Sequence, residues 1–307
     1  MNMQTKINLA IEQISQLVIG KQRQIKLAIS CLIANGHLLV EDLPGMGKTT
    51  LSHALAEVLE LNFSRVQFTS DLLPADVLGL TIFDSSKQSF NFHPGPIFSQ
   101  VVLADEINRA SPKTQSALLE AMEEKQVSLD GKTHPLPTPF FVIGTQNPMH
   151  QSGTYPLPES QLDRFLMRIQ LGYPDWNAEK KMLLEQQIDF DKRLNAVMSA
   201  EEFVAIQQQV KQVHVSEQIL NYILRLVTES RESELFPNPL SPRASKSLLQ
   251  AARSWALVEG RDYLIPEDIQ AVLPAVAEHR LRATLSDFAG QSSLSLKLLE
   301  AVDPIAA

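Results

Sequence analysis

The sequence predicts an α/β fold: a parallel sheet with flanking helices over residues 1–175, then a smaller all-α domain over 176–285 and a C-terminal tail over 286–307. Three observations predict it. Short runs without polar alternation, His37-Leu38-Leu39-Val40, Val101-Val102-Leu103-Ala104 and Phe140-Phe141-Val142-Ile143, suit parallel strands buried on both faces. They alternate with helical stretches and are bounded by Gly and Pro, as a wound α/β sheet requires. After Tyr173-Pro174-Asp175 such runs stop, and helical spacing takes over at Ile219, Ile223, Leu226 and Val227, then at Leu248, Leu249, Ala252 and Trp255.

Taken in chain order, the first strand, 37–40, runs into Glu41-Asp42-Leu43-Pro44-Gly45-Met46-Gly47-Lys48-Thr49-Thr50, with a helix expected from about Lys48. Gly45 and Gly47 let backbone amides approach phosphate oxygens with no Cβ in the way. The helix N-terminus adds unpaired N–H groups and partial positive charge. Lys48 in that first turn opposes the helix dipole by roughly 0.3–1 kcal/mol. A bound triphosphate reverses the sign, with Lys48 reaching its β- and γ-phosphates and the Thr49 hydroxyl oxygen facing magnesium. Asp42 stands where the general phosphate-loop pattern has Gly.

Thr81-Ile82-Phe83 and Ser89-Phe90-Asn91-Phe92 flank a polar turn and predict a hairpin. The strand at 101–104 ends in Asp105-Glu106, at the edge of a parallel sheet where ligands gather. One carboxylate, Asp105, suits the metal shell, and Glu106 suits the attacking water, a division that fits phosphoryl transfer. Ser111 and Pro112 supply the cap and first position of the next helix. A second hairpin is expected where 126–129 and 132–134 flank Asp130-Gly131, a pair that accepts positive φ. The strand at 140–143 runs on through Gly144-Thr145-Gln146 to Asn147 and Pro148, and the Asn147 amide can reach a γ-phosphate or the lytic water. Arg164 follows Leu162-Asp163, and Arg243 falls in the first turn of a helix opened by Ser241-Pro242. A cation there opposes the helix dipole, so either a nearby anion or a surface salt bridge accounts for it.

Composition narrows the field. The 307 residues are 44% hydrophobic and 20% charged, as in chains that bury real cores. A net charge of -8, without a Lys/Arg stripe interleaved with aromatics, argues against a DNA motor. The single cysteine, Cys31, excludes an internal disulfide, and none of the seven histidines has zinc-ligand spacing. The N-terminus lacks the apolar core of a signal peptide, and no apolar stretch approaches the roughly 18 residues that span a bilayer. A cytoplasmic protein is expected.

Together these blocks resemble the MoxR family of AAA+ ATPases, from about residue 10 to about 280. Val102 to Ala110, continuing through Lys113 to Met122, is similar to that family's Walker B region nearly letter for letter. Glu41-Asp42-Leu43-Pro44-Gly45 resembles its usual phosphate loop, and Gly95-Pro96-Ile97-Phe98 and Tyr155-Pro156-Leu157-Pro158-Glu159 are similar hallmarks. The resemblance implies an AAA+ P-loop NTPase core with a helical lid, two hairpin insertions, ATP and Mg2+ as cofactors, and a ring, commonly hexameric. It implies that Asn147 is sensor 1, Arg243 sensor 2, and Arg164 an arginine finger offered to a neighbour's nucleotide. Val18-Ile19-Gly20 resembles the segment that packs against adenine. The resemblance further implies chaperone-like remodelling or cofactor insertion, often with a von Willebrand factor A domain partner. Alternatives are a magnesium-chelatase-like ATPase subunit and a slow nucleotide-dependent assembly switch.

Overall fold

The computed structural model describes residues 2–147, 154–184, 194–282 and 293–304. Pro148, and the junction of helical domain and tail at 283–292, lie outside the described residues.

Five strands form one parallel sheet in the order β2-β5-β8-β1-β9, with β1 His37–Glu41, β2 Phe63–Gln67, β5 Val101–Asp105, β8 Phe141–Gln146 and β9 Phe165–Ile169. The central strands are buried on both sides, and their side chains alternate between two cores. Leu38, Val40, Val101, Leu103, Phe141 and Ile143 face one core; Leu39, Val102, Ala104 and Val142 face the other. The edge strands carry Arg65 and Arg168 within them, which breaks the apolar signature that marks the middle three. Arg168 is buried and paired with the buried Glu41, so β9 is a core strand despite its charge.

Helices α1 Met3–Leu17, α2 Gln22–Ile33 and α3 Lys48–Val58 cover one face. Helix α4 Pro74–Leu78 and helix α5 Pro112–Glu124 cover the other. Ser111 caps α5, accepting from the Thr114 amide, with Pro112 at the first position. The hairpin β3–β4 pairs Gly79–Asp84 with Ser89–Pro94, and β6–β7 pairs Gln126–Leu129 with Lys132–Pro135 around Asp130 and Gly131, both at positive φ. Beyond the short α6 Glu159–Leu162, the helical domain comprises α7 Trp176–Leu184, α8 Ala200–Gln209, α9 Glu217–Glu232, α10 Pro242–Val258 and α11 Pro266–Leu281.

The core does not divide at residue 175. One cluster joins α1, α2 and α3 to Phe203, Tyr222, Leu248, Ala252 and Leu273. Within the stretch expected as a tail, Leu294–Ala301 form α12, whose Leu298 is fully buried and which packs on α11 and α9. Among the described residues no helix is long and apolar enough to cross a membrane.

Candidate nucleotide site

The turn after β1 is a cradle. Gly45 and Gly47 adopt φ of 81° and 87°, and a Cβ on either would meet open space, so the left-handed backbone, and not lack of room, is what calls for glycine there. Gly47 caps α3, which begins at Lys48. Asp42, the departure from the general pattern, anchors the turn: its carboxylate accepts from the Gly172 amide at 2.6 Å and the Leu43 amide at 3.0 Å.

The Lys48 ammonium is drawn inward, donating to the Asp42 carbonyl at 2.6 Å and to Asn147 Oδ1 at 2.8 Å. Burial lowers its pKa from the ordinary lysine value, and Asp105, Asp42, Glu106 and Glu41 oppose that shift. Asn147, at the end of β8, turns its amide nitrogen to Glu106 Oε1 at 3.2 Å, linking the cradle to the acid pair.

Thr145 organises the two acids. Its buried hydroxyl donates to Asp105 Oδ1 at 2.6 Å and accepts from the Glu106 amide at 2.9 Å. Glu106 sits at φ 56°, in the left-handed region, so the chain turns sharply where β5 ends. Three side chains hold its carboxylate: Asn147, Gln67 at 3.1 Å and Arg109 at 2.8 Å. Arg65 bonds Asp105 Oδ2 through Nε at 3.2 Å and Nη2 at 2.7 Å.

Pro44, Gly45, Gly47, Lys48, Thr49, Thr50, Asp105, Glu106 and Asn147 thus line one cavity of about 370 Å3, together with Arg65 and Gln67. Sequence reasoning missed Arg65, Gln67, Arg109 and Thr145. Arg65 and Gln67 share one face of β2, but only the register of β2 with β5 brings them beside the acid pair. Met46 lies outside the lining and packs, partly buried, against the core. Ile19 is buried, and Gly20 sits at φ 75° against Ala178, where β9 passes into the helical domain; neither lines the cavity. A larger cavity of about 1060 Å3, between α9 and the residues that end α12, contains none of the expected site residues.

Arg164 and Arg243 stand elsewhere. Arg164 precedes β9, whose Phe165 pairs with His37, so it lies at the amino end of the sheet. There Glu123, from the end of α5, pairs with both arginines, its bond from Arg243 Nη2 spanning 2.5 Å. Asp163 completes the cluster, accepting from Arg280 Nε at 2.6 Å, with Arg243 4.0 Å away. The anion that explains a cation in the first turn of α10 is Glu123, within this chain.

The fold and cradle define the class, an α/β P-loop architecture with a helical lid. Residues 37–167 match the ATPase family associated with various cellular activities (AAA), and residues 228–294 match the AAA lid domain. "Chaperone MoxR1" of Mycobacterium tuberculosis is 37% identical over 97% of this chain and 81% of its own length. "Protein MoxR" of Methylorubrum extorquens is 30% identical over 88% and 85%. "Uncharacterized protein YeaC" of Bacillus subtilis is 46% identical over 89% and 85%. A crystal structure from Cytophaga hutchinsonii superposes with a TM-score of 0.87 at 36% identity, covering 98% of this chain and 95% of that one. The chain belongs to the MoxR family of AAA+ ATPases.

Proposed function

We propose that the chain hydrolyses Mg-ATP in the cytoplasm, in a ring of identical copies, and uses turnover to remodel a client protein. One observation carries the chemistry: Lys48, Asp105, Glu106 and Asn147, spread over a hundred positions, meet around a single cavity beside an open glycine cradle. Lys48 and the backbone of 44–49 bind the triphosphate. Thr49 and Asp105 offer the hard oxygen donors that magnesium prefers, and would hold it. That ion would neutralise phosphate charge. Glu106 takes the proton of the attacking water, and Asn147 orients that water against the terminal phosphate. Ile19 and Gly20 are assigned to the adenine side.

Arg164 is assigned as the arginine finger for the nucleotide of a neighbouring copy and Arg243 as sensor 2; because Arg243 shares Glu123 with Arg164, a strand's length away from the cavity, it is assigned to the same neighbouring nucleotide. The name of one relative, "Chaperone MoxR1", supports the chaperone-like role. A hexamer and a von Willebrand factor A domain partner follow from family resemblance alone. The three donors on Glu106 favour slow basal turnover, so the assembly-switch reading stands as the second one.

Glu106→Gln tests the chemistry. It should bind Mg-ATP normally and hydrolyse it at least about 100-fold more slowly, the lower range for losing acid–base catalysis. Near-normal turnover removes Glu106 from this role.

A further inference from the structure

Lys48 makes no hydrogen bond to Asp105: its ammonium is engaged by the Asp42 carbonyl and Asn147. The cation on Asp105 is Arg65. Strand β2 pairs in register with β5, setting Gln67 opposite Asp105, and Arg65 reaches Oδ2 with two nitrogens of its fork. The Arg65 Nη2 also donates to Gln67 Oε1 at 2.9 Å, which fixes the plane of the guanidinium. Asp105 is nearly buried, whereas the Arg65 side chain is 49% exposed at the edge of the sheet. The carboxylate is therefore fixed and its counter-ion is free to leave. Arg65 also lines the cavity that Thr49 lines.

We propose that Arg65 is a positioning residue that occupies Asp105 in place of the divalent cation and must be displaced for the cation to bind, so that β2 sets the metal affinity of the site. The inference rests on the proposed function. A single carboxylate oxygen facing two cations gains little from the second, because the two repel and share one acceptor. Metal uptake is then an exchange of guanidinium for metal. Thr145 keeps hold of the other oxygen, Oδ1, and preserves the aim of the carboxylate throughout.

The test is calorimetric titration of ADP into the full-length protein, in EDTA and in excess Mg2+. The ratio of the two Kd values reports the coupling between metal and nucleotide and is independent of turnover. Arg65→Ala and Arg65→Gln should each raise that ratio at least about fivefold, the scale of a charge-assisted hydrogen bond no longer opposing the metal. Arg65→Lys keeps the charge and should stay near wild type. A ratio unchanged or reduced in both neutral variants, with ADP still bound in EDTA, overturns the proposal. If wild-type protein takes up no ADP under either condition, the nucleotide function itself falls, and this inference with it.

Discussion

At the carboxyl end of β1, acids need cations: Asp105 and Glu106 are held by Arg65 and Arg109, and Lys48 is buried among carbonyl and amide oxygens. At its amino end the signs are reversed. Arg164 and Arg243 are 27% and 49% exposed, and both rest on the Glu123 carboxylate. Five residues of strand separate the two ends, about 13 Å. No side chain spans that gap, so one copy cannot bring its own Arg164 to its own cradle while the sheet stays intact. The carboxyl end gathers Lys48, Asp105, Glu106 and Asn147 around one cavity, whereas the amino end has two arginines sharing one carboxylate away from that cavity. On the proposed function, a second copy joins them.

The largest effect expected follows from that division. Arg164→Ala should keep nucleotide affinity and lose activity by about 1000-fold, the lower range for removing an arginine finger. Mixing it with Lys48→Ala subunits should restore turnover, because the hybrid interface contains one intact cradle and one intact finger. If mixed assemblies form and stay inactive, Arg164 does not act across the interface.

A second measurement separates the two ends by stability. At the amino end, His37 is buried and neutral. Its Nδ1 accepts from the Val142 amide at 2.9 Å and its Nε2 faces the Met122 carbonyl at 3.3 Å, tying the end of α5 to the sheet. Burial lowers its pKa from 6.5 to about 4. The unfolded chain therefore binds the extra proton first: stability is full above 6.5, falls as pH drops toward 4, and levels off below. Between pH 7 and pH 5 the wild type should lose about 2 kcal/mol more than His37→Gln, read from urea midpoints at each pH. His279, also buried and shifted downward, is present in both proteins and cancels. Equal pH slopes would show that His37 takes up its proton in the fold at the same pH as in the unfolded chain.

The legibility of the sequence differs between the ends for the same reason. The central strands announce themselves because burial on both faces forces unbroken apolar runs, and the cradle because only glycine suits its turns. Asp105, Glu106 and Asn147 are legible as candidates because each closes or follows such a strand. Arg65 and Gln67 are not, since β2 is an edge strand and their partners are set by its register with β5. Thr145 lay inside a legible strand, but its two bonds depend on β8 lying beside β5. The pairing of Arg243 with Glu123 joins residues 120 positions apart, and no local pattern encodes it.

Glu123 offers the smallest effect and the sharpest view of the comparison. Its bonds to Arg243 and Arg164 hold its carboxyl below the usual glutamate range, so it is charged throughout the neutral region. If the arginines serve a neighbouring copy, Glu123 competes with the phosphates for them. Exposed pairs of this kind contribute about 0–1 kcal/mol, so the competition is weak and sensitive to salt. Glu123→Gln should raise ATPase activity at limiting protein concentration by no more than about fivefold, with the gain shrinking as ionic strength rises. A loss of activity would give Glu123 the opposite role, aiming Arg164 and Arg243 at the neighbour instead of withholding them. Those two results differ in sign, so a modest change in rate is enough to decide between them.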